Sequence, residues 1–226
     1  MVTRKLKECA TALVASAGLA VLVIAAPLAA HAATPPEAAR PVIVVLGDSL
    51  SAEYGLPHST GWVELMRQRL AKDGLDYSVA NASISGDTTS GGRARMPELM
   101  DRLKPSIVIV ELGGNDALRG VPLATTRDNL RTMIELAQQG HARVVLIGMK
   151  VPPNYGPGYT QKFYSMYGEL ANEFHVRLVP FLLAGMADKP GMFQADQIHP
   201  TQQAQFLLLG NVWPTLRPLL RKHSSH

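Results

Sequence analysis

The sequence predicts an α/β chain, a three-layer α/β/α sandwich built on a five-stranded parallel sheet. Three observations carry this. Five short apolar runs of strand length recur along the chain. Segments with helical periodicity separate them. The central runs are continuous rather than alternating, as in strands covered on both faces. Right-handed crossovers then put helices on both sides of the sheet.

The elements follow in order. Residues 41–46 form the first strand, ending at Gly47. Residues 62–72 read as a helix, with Val63, Leu65, Met66 and Leu70 at helical spacing. A short strand at 77–80 comes next. Residues 96–103 end a helix whose start near Thr88 is weakened by Gly91 and Gly92. Residues 106–112 form an apolar strand. Residues 123–139 are an amphipathic helix closed by Gly140, and 143–147 another apolar strand. A helix at 162–174 and a short strand at 177–179 complete the repeat. Residues 201–209 open the last helix, which Pro214 and Pro218 should bend or restart. Trp62 and Trp213 are expected to be half-buried helix residues, and Met66, Met96, Met133 and Met149 to fill the core.

Composition narrows the class. The chain has 226 residues, 46% hydrophobic and 18% charged, enough to bury a sizeable core. The formal charge of +4 gives no reason to expect nucleic acid as a partner. Part of that charge lies in Arg4, Lys5 and Lys7, ahead of an alanine-rich apolar stretch and Ala30-His31-Ala32. This is the layout of a cleaved secretory signal peptide over 1–32, followed by a Pro/Ala-rich linker over 33–40. An uncleaved anchor is the alternative, since ~20 apolar residues can span a bilayer. The domain then runs over 41–220 and a polar tail over 221–226. Cys9, the one cysteine, sits inside the signal, so the mature chain has no disulfide and no thiolate chemistry. The expectation is a periplasmic or secreted monomer needing no cofactor and no metal.

In a parallel sheet, ligands bind beyond the carboxyl ends of the strands. Gly47-Asp48-Ser49-Leu50 puts a serine there, at a tight turn after the first strand. A serine so placed becomes a nucleophile if a base and a carboxylate reach it. His31 leaves with the signal, and His223 and His226 lie in the tail. His141 and His175 precede strands, at the wrong edge of the sheet. His58 has no carboxylate close behind it in its loop. His199 has Asp196 three residues earlier, a spacing that lets the carboxylate hold one ring nitrogen while the other faces Ser49. Asn115, in Gly113-Gly114-Asn115-Asp116 after the third strand, can donate its amide to a developing oxyanion, although Asn and Gly also serve plain turns. Gly86, after the second strand, is either a turn glycine or a second donor through its backbone N–H. There is no G-x-S-x-G, P-loop, G-x-G-x-x-G or H-E-x-x-H pattern, so nucleotide-binding and zinc-protease readings have no support.

Together, Gly47-Asp48-Ser49-Leu50-Ser51, Gly86, Gly113-Gly114-Asn115-Asp116 and Asp196-x-x-His199 match in order the four blocks of the SGNH (GDSL) hydrolases. The chain resembles that family from residue 41 to about 220, and within it the periplasmic thioesterase I, lysophospholipase L1 and arylesterase group. The resemblance implies a flavodoxin-like sheet in the order 2-1-3-4-5. It implies Ser49 as nucleophile, His199 as base, Asp196 as its orienting partner, and an oxyanion hole from Ser49, Gly86 and Asn115. The expected activity is that of an exported serine esterase acting on acyl esters and thioesters through an acyl-enzyme. A carbohydrate O-deacetylase and a non-catalytic binding protein are the alternatives. Leu118 and Val121 in the loop after Asn115, with Val151 and Pro152 after the fourth strand, are expected to form an apolar acyl groove. The position matching Val151 is more often leucine in the best-known members.

Overall fold

A computed structural model describes residues 40–221. The expected signal peptide, most of the linker, Cys9, His31, His223 and His226 lie outside the described residues. The strands are β1 (Val42–Gly47), β2 (Ser78–Asn81), β3 (Ile107–Glu111), β4 (Arg143–Ile147) and β5 (Arg177–Val179). All pair in parallel, in the order β2-β1-β3-β4-β5. The helices are α1 (Trp62–Lys72), α2 (Thr89–Leu103), α3 (Gly114–Leu118), α4 (Leu123–Gln139), α5 (Pro157–Glu173) and α6 (Gln205–Leu216). α1 packs against α6, while α2 packs against α4 and α4 against α5. Right-handed crossovers put the pair on one face and the trio on the other.

Burial explains why the strands read so clearly. Every residue of β3 is buried, whereas the edge strands β2 and β5 are partly exposed. Each fully buried Val, Ile or Leu contributes about 1.5–3 kcal/mol relative to exposure. The register places Gly47 opposite Glu111. The turns after β1 and β3, carrying Ser49 and Asn115, therefore emerge side by side at one carboxyl edge.

Several expectations are corrected in detail. α2 starts at Thr89 despite its two glycines, because the Thr88 hydroxyl caps it by accepting from Gly91 N–H. A Cβ on Gly92 would meet Leu112 Cδ1 at 2.3 Å, so close packing on the sheet, not a helix break, accounts for that glycine. α5 starts at Pro157 rather than 162, since proline at the first helical turn is pre-organised. α6 runs through Pro214, and the chain restarts as a 3-10 turn, Arg217–Leu219, at Pro218. Trp62 is fully buried rather than half-buried, and Trp213 is buried beneath the Arg69 guanidinium, 4.5 Å from its ring. Among the described residues no helix is long and apolar enough to cross a membrane.

Candidate active site

The Ser49 turn is built by Asp48. Its Oδ1 accepts from Leu50 N–H at 3.0 Å, and its carbonyl accepts from Ser51 and Ala52 N–H at 3.2 and 2.9 Å. Beneath the turn lies Glu111, wholly buried at the end of β3. Glu111 Oε2 accepts from Asp48 N–H at 3.2 Å and from Ser51 Oγ at 2.7 Å, and Trp62 Nε1 donates to the same Ser51 Oγ. Burial raises both carboxyls. Asp48 is pushed up to about 6, against the opposing pull of Leu50 N–H, His199 and Asn115. Glu111 is pushed well above the usual range by burial and then by the Asp48 charge. Both effects favour the neutral form of Glu111 beneath the turn.

Asp196 and His199 share a tight loop in which Gln197 adopts a φ of 59°, a strained value for a non-glycine residue. Asp196 Oδ1 accepts from the N–H groups of Ile198 and His199 at 2.9 and 3.0 Å. Its Oδ2 lies 2.7 Å from His199 Nδ1, and His199 Nε2 lies 2.9 Å from Ser49 Oγ. The His199 N–H, the His199 ring and the Ile198 N–H hold the Asp196 carboxyl down at about 2. An ionised Asp196 accepts from Nδ1–H, which fixes the imidazole tautomer and leaves the Nε2 lone pair facing the Ser49 hydroxyl. Among the described residues the other histidines lie elsewhere. His141 and His175 sit at the starts of β4 and β5. His58 is solvent-exposed and does have a carboxylate beside it, Glu53 at 3.6 Å, contrary to the sequence expectation.

The groups expected to form an oxyanion hole can be placed in the same way. Among the described residues neither Ser49 N–H nor Gly86 N–H has a protein acceptor. Gly86 sits at a φ of 79°, which a residue with a side chain adopts only under strain. Asn115 Nδ2 donates both its hydrogens, to Asp48 Oδ2 and to the Asp87 carbonyl, each at 3.0 Å. A substrate oxygen would have to share or displace one of these. Gly113 turns the chain into α3 at a φ of 118°, and a Cβ there would fall 2.3 Å from Tyr167 Oη. The Gly86 loop is braced by Arg119, which donates to the Gly86 carbonyl at 2.8 Å, and by Arg95, which donates to the Ala82 carbonyl at 2.7 Å and pairs with Asp87.

A cleft of about 900 Å³ opens from Ser49, Asn115 and His199. That is the scale of a small-molecule site. Leu118, Val151 and Pro152 line it as expected, and Val121 does not. The chain turns back at Val121, whose N–H donates to the Asp116 carbonyl at 2.9 Å. The wall also holds Lys150, Tyr164 and Phe181, which sequence reasoning missed; the Lys150 ammonium lies 4.6 and 5.1 Å from the two rings. A cation three residues past an apolar strand was the available signal. Among the described residues no three His, Cys, Asp or Glu side chains gather as a metal cradle would.

Known proteins resemble this chain in sequence and in fold. The model of the GDSL-like lipase/acylhydrolase family matches residues 45–205. Esterase TesA of Pseudomonas aeruginosa is 52% identical over 184 residues, covering 81% of this chain and 92% of that protein. Thioesterase 1/protease 1/lysophospholipase L1 of Escherichia coli K12 is 39% identical, covering 83% and 88%. The crystal structure of the psychrotrophic esterase EstA from Pseudoalteromonas, inhibited by monoethylphosphonate, superposes with a TM-score of 0.75 at 34% identity, covering 78% of this chain and 97% of that one. With a parallel five-stranded sheet, a serine turn at its carboxyl edge and relatives that match over most of both lengths, the chain belongs to the GDSL-like lipase/acylhydrolase (SGNH) family of serine ester hydrolases.

Proposed function

We propose that this enzyme hydrolyses acyl esters and thioesters by a Ser49–His199–Asp196 triad and an acyl-enzyme. The observation that carries the reading is the unbroken line from Ser49 Oγ to His199 Nε2 at 2.9 Å, and from Nδ1 to Asp196 Oδ2 at 2.7 Å. His199 takes the hydroxyl proton as Ser49 attacks the carbonyl carbon. The resulting oxyanion is received by Ser49 N–H, Gly86 N–H and the Asn115 amide, each such donor being worth about 3 kcal/mol in the transition state. His199 then protonates the departing alkoxide or thiolate. In the second half, His199 takes a proton from water as the hydroxide attacks the acyl carbon, then returns that proton to the departing Ser49 oxygen as the carboxylic acid leaves. Asp196 keeps the imidazole oriented and stabilises its protonated form.

The acyl class is supported by the apolar lining from Leu118, Val151 and Pro152 and by relatives named esterase and thioesterase/lysophospholipase. The expected site of action is outside the cytoplasm, as a monomer, with the chain beginning after Ala32. The mass of protein recovered from the periplasm or medium tests that. The mechanism is tested by Ser49→Ala, which should lower kcat by about 10³-fold or more with the fold retained, and by stoichiometric labelling of the wild type with a phosphonofluoridate. A folded Ser49→Ala protein with near-normal esterase activity would sink the mechanism.

A further inference from the structure

We propose that Tyr54 is a positioning residue for His199, its ring serving as the wall that orients the imidazole and favours it once it carries the Ser49 proton. Tyr54 and His199 have ring centroids 4.3 Å apart with planes inclined by 36°. Tyr54 is 49% exposed, so packing into the core does not account for a large aromatic at that position. It lies in the same loop as Ser49, its N–H donating to the Ser49 carbonyl at 3.4 Å.

Gln194 braces this loop against the one bearing His199. Gln194 Nε2 donates to the Tyr54 carbonyl at 2.9 Å and to the Pro200 carbonyl at 3.1 Å. Its backbone N–H donates to the His199 carbonyl at 2.7 Å. The staple closes on Gly55, where a Cβ would strike Gln194 Oε1 at 2.2 Å. The two rings are therefore held against each other, at that 36° inclination, by the Gln194 amide and backbone on one side.

The chemistry follows from the change of charge during turnover. A neutral imidazole gains little from the face of an aromatic ring. An imidazolium within about 6 Å of that face is attracted by the ring quadrupole. The ring thus helps most at the moment the proton has moved. Asp196 at Nδ1 and Asp48 on the serine turn act on His199, and Lys150 lines the same cleft. Glu53, next to Tyr54, is committed elsewhere, accepting from Gly61 and Ser59 N–H at 2.7 and 3.0 Å. Replacing Tyr54 leaves both aspartates in place, so any shift in the pH profile reports on the ring.

The inference rests on His199 acting as the base. The test compares wild type, Tyr54→Phe and Tyr54→Leu, with competent sites counted by phosphonofluoridate so that misfolded protein does not enter the rates. Tyr54→Leu should lower kcat about fivefold with KM little changed, and move the acid limb of the kcat/KM profile to lower pH by about half a unit. Tyr54→Phe, which keeps the ring face, should restore both. A wild-type rate and profile in Tyr54→Leu overturns the inference. So does an equal loss in Tyr54→Phe, or an effect confined to KM. Failure of the base itself would be seen separately, as an active Ser49→Ala protein or absent labelling.

Discussion

Asp48→Asn should make the enzyme more stable and much less active. In the unfolded chain this carboxyl ionises near 3.8, and in the folded one at about 6. The destabilisation is therefore absent below about pH 4, builds as pH rises, and is complete above about pH 6, where it amounts to about 3 kcal/mol. Asparagine is nearly isosteric and never ionises, so it removes that penalty. Its Oδ1 can still accept from Leu50 N–H. Its Nδ2, however, would face Asn115 Nδ2 across the 3.0 Å now occupied by a hydrogen bond, donor against donor. Losing that bond costs about 1 kcal/mol. The net gain of about 2 kcal/mol at pH 8 should raise Tm by roughly 4–8 °C. Asn115, pushed off its acceptor, should serve the oxyanion poorly, and kcat should fall about 10²-fold. The assays are thermal melts at pH 4 and pH 8 and the kcat for p-nitrophenyl butyrate. A variant less stable than wild type at pH 8 refutes the electrostatic reasoning, and a variant with full kcat refutes the role given to the Asp48–Asn115 bond.

Asp196→Asn should lose about 10²-fold or more in kcat, because the amide no longer fixes the imidazole tautomer. The Asp196 carboxyl is held at about 2, so its stabilising contribution is present above pH 3.8 and is lost as pH falls through 2; melts of wild type and variant should be clearly offset at pH 5 and converge below pH 2. Along a series of p-nitrophenyl esters, kcat/KM should rise from acetyl to medium chains, since each methylene buried against Leu118 and Val151 is worth up to ~0.8 kcal/mol. Val151→Leu, which lengthens a side chain in the cleft wall, should shift the preferred chain length; a preference for acetyl esters or acetylated sugars in the wild type would favour the deacetylase alternative.

The fold was legible where burial makes the sequence monotonous. Residues 107–111 are Ile-Val-Ile-Val-Glu, every one buried, and such a run fits a central parallel strand well. α1 and α4 matched residue for residue because their apolar positions keep one face over several turns. α3 was missed because Gly-Asn-Asp-Ala-Leu is too short to display a period. The start of α5 was hidden by Gly158 and by a proline that usually signals a break. In both cases tertiary placement outweighs local propensity.

The site was legible for a different reason. Ser49, Asn115 and His199 follow strands or a short histidine loop, and parallel topology brings strand ends together whatever the intervening helices contain. What the sequence concealed are partners reached across the fold: Tyr54 over His199, and Glu111 under Asp48. Glu111 is the more instructive. A carboxyl closing a wholly buried strand breaks the apolar rule, and such breaks fall where structure serves function. Two ionised carboxylates beneath a site that develops an oxyanion would oppose catalysis. Burial and the Asp48 charge favour the neutral form of Glu111, which limits the negative charge beneath the turn. That remaining charge sits on Asp48, whose Oδ2 holds the Asn115 amide and whose field favours a protonated His199. Glu111 meanwhile anchors the Asp48 N–H and the Ser51 hydroxyl, both within the serine turn. The buried pair thus carries a desolvation cost and in return holds the geometry of the serine turn.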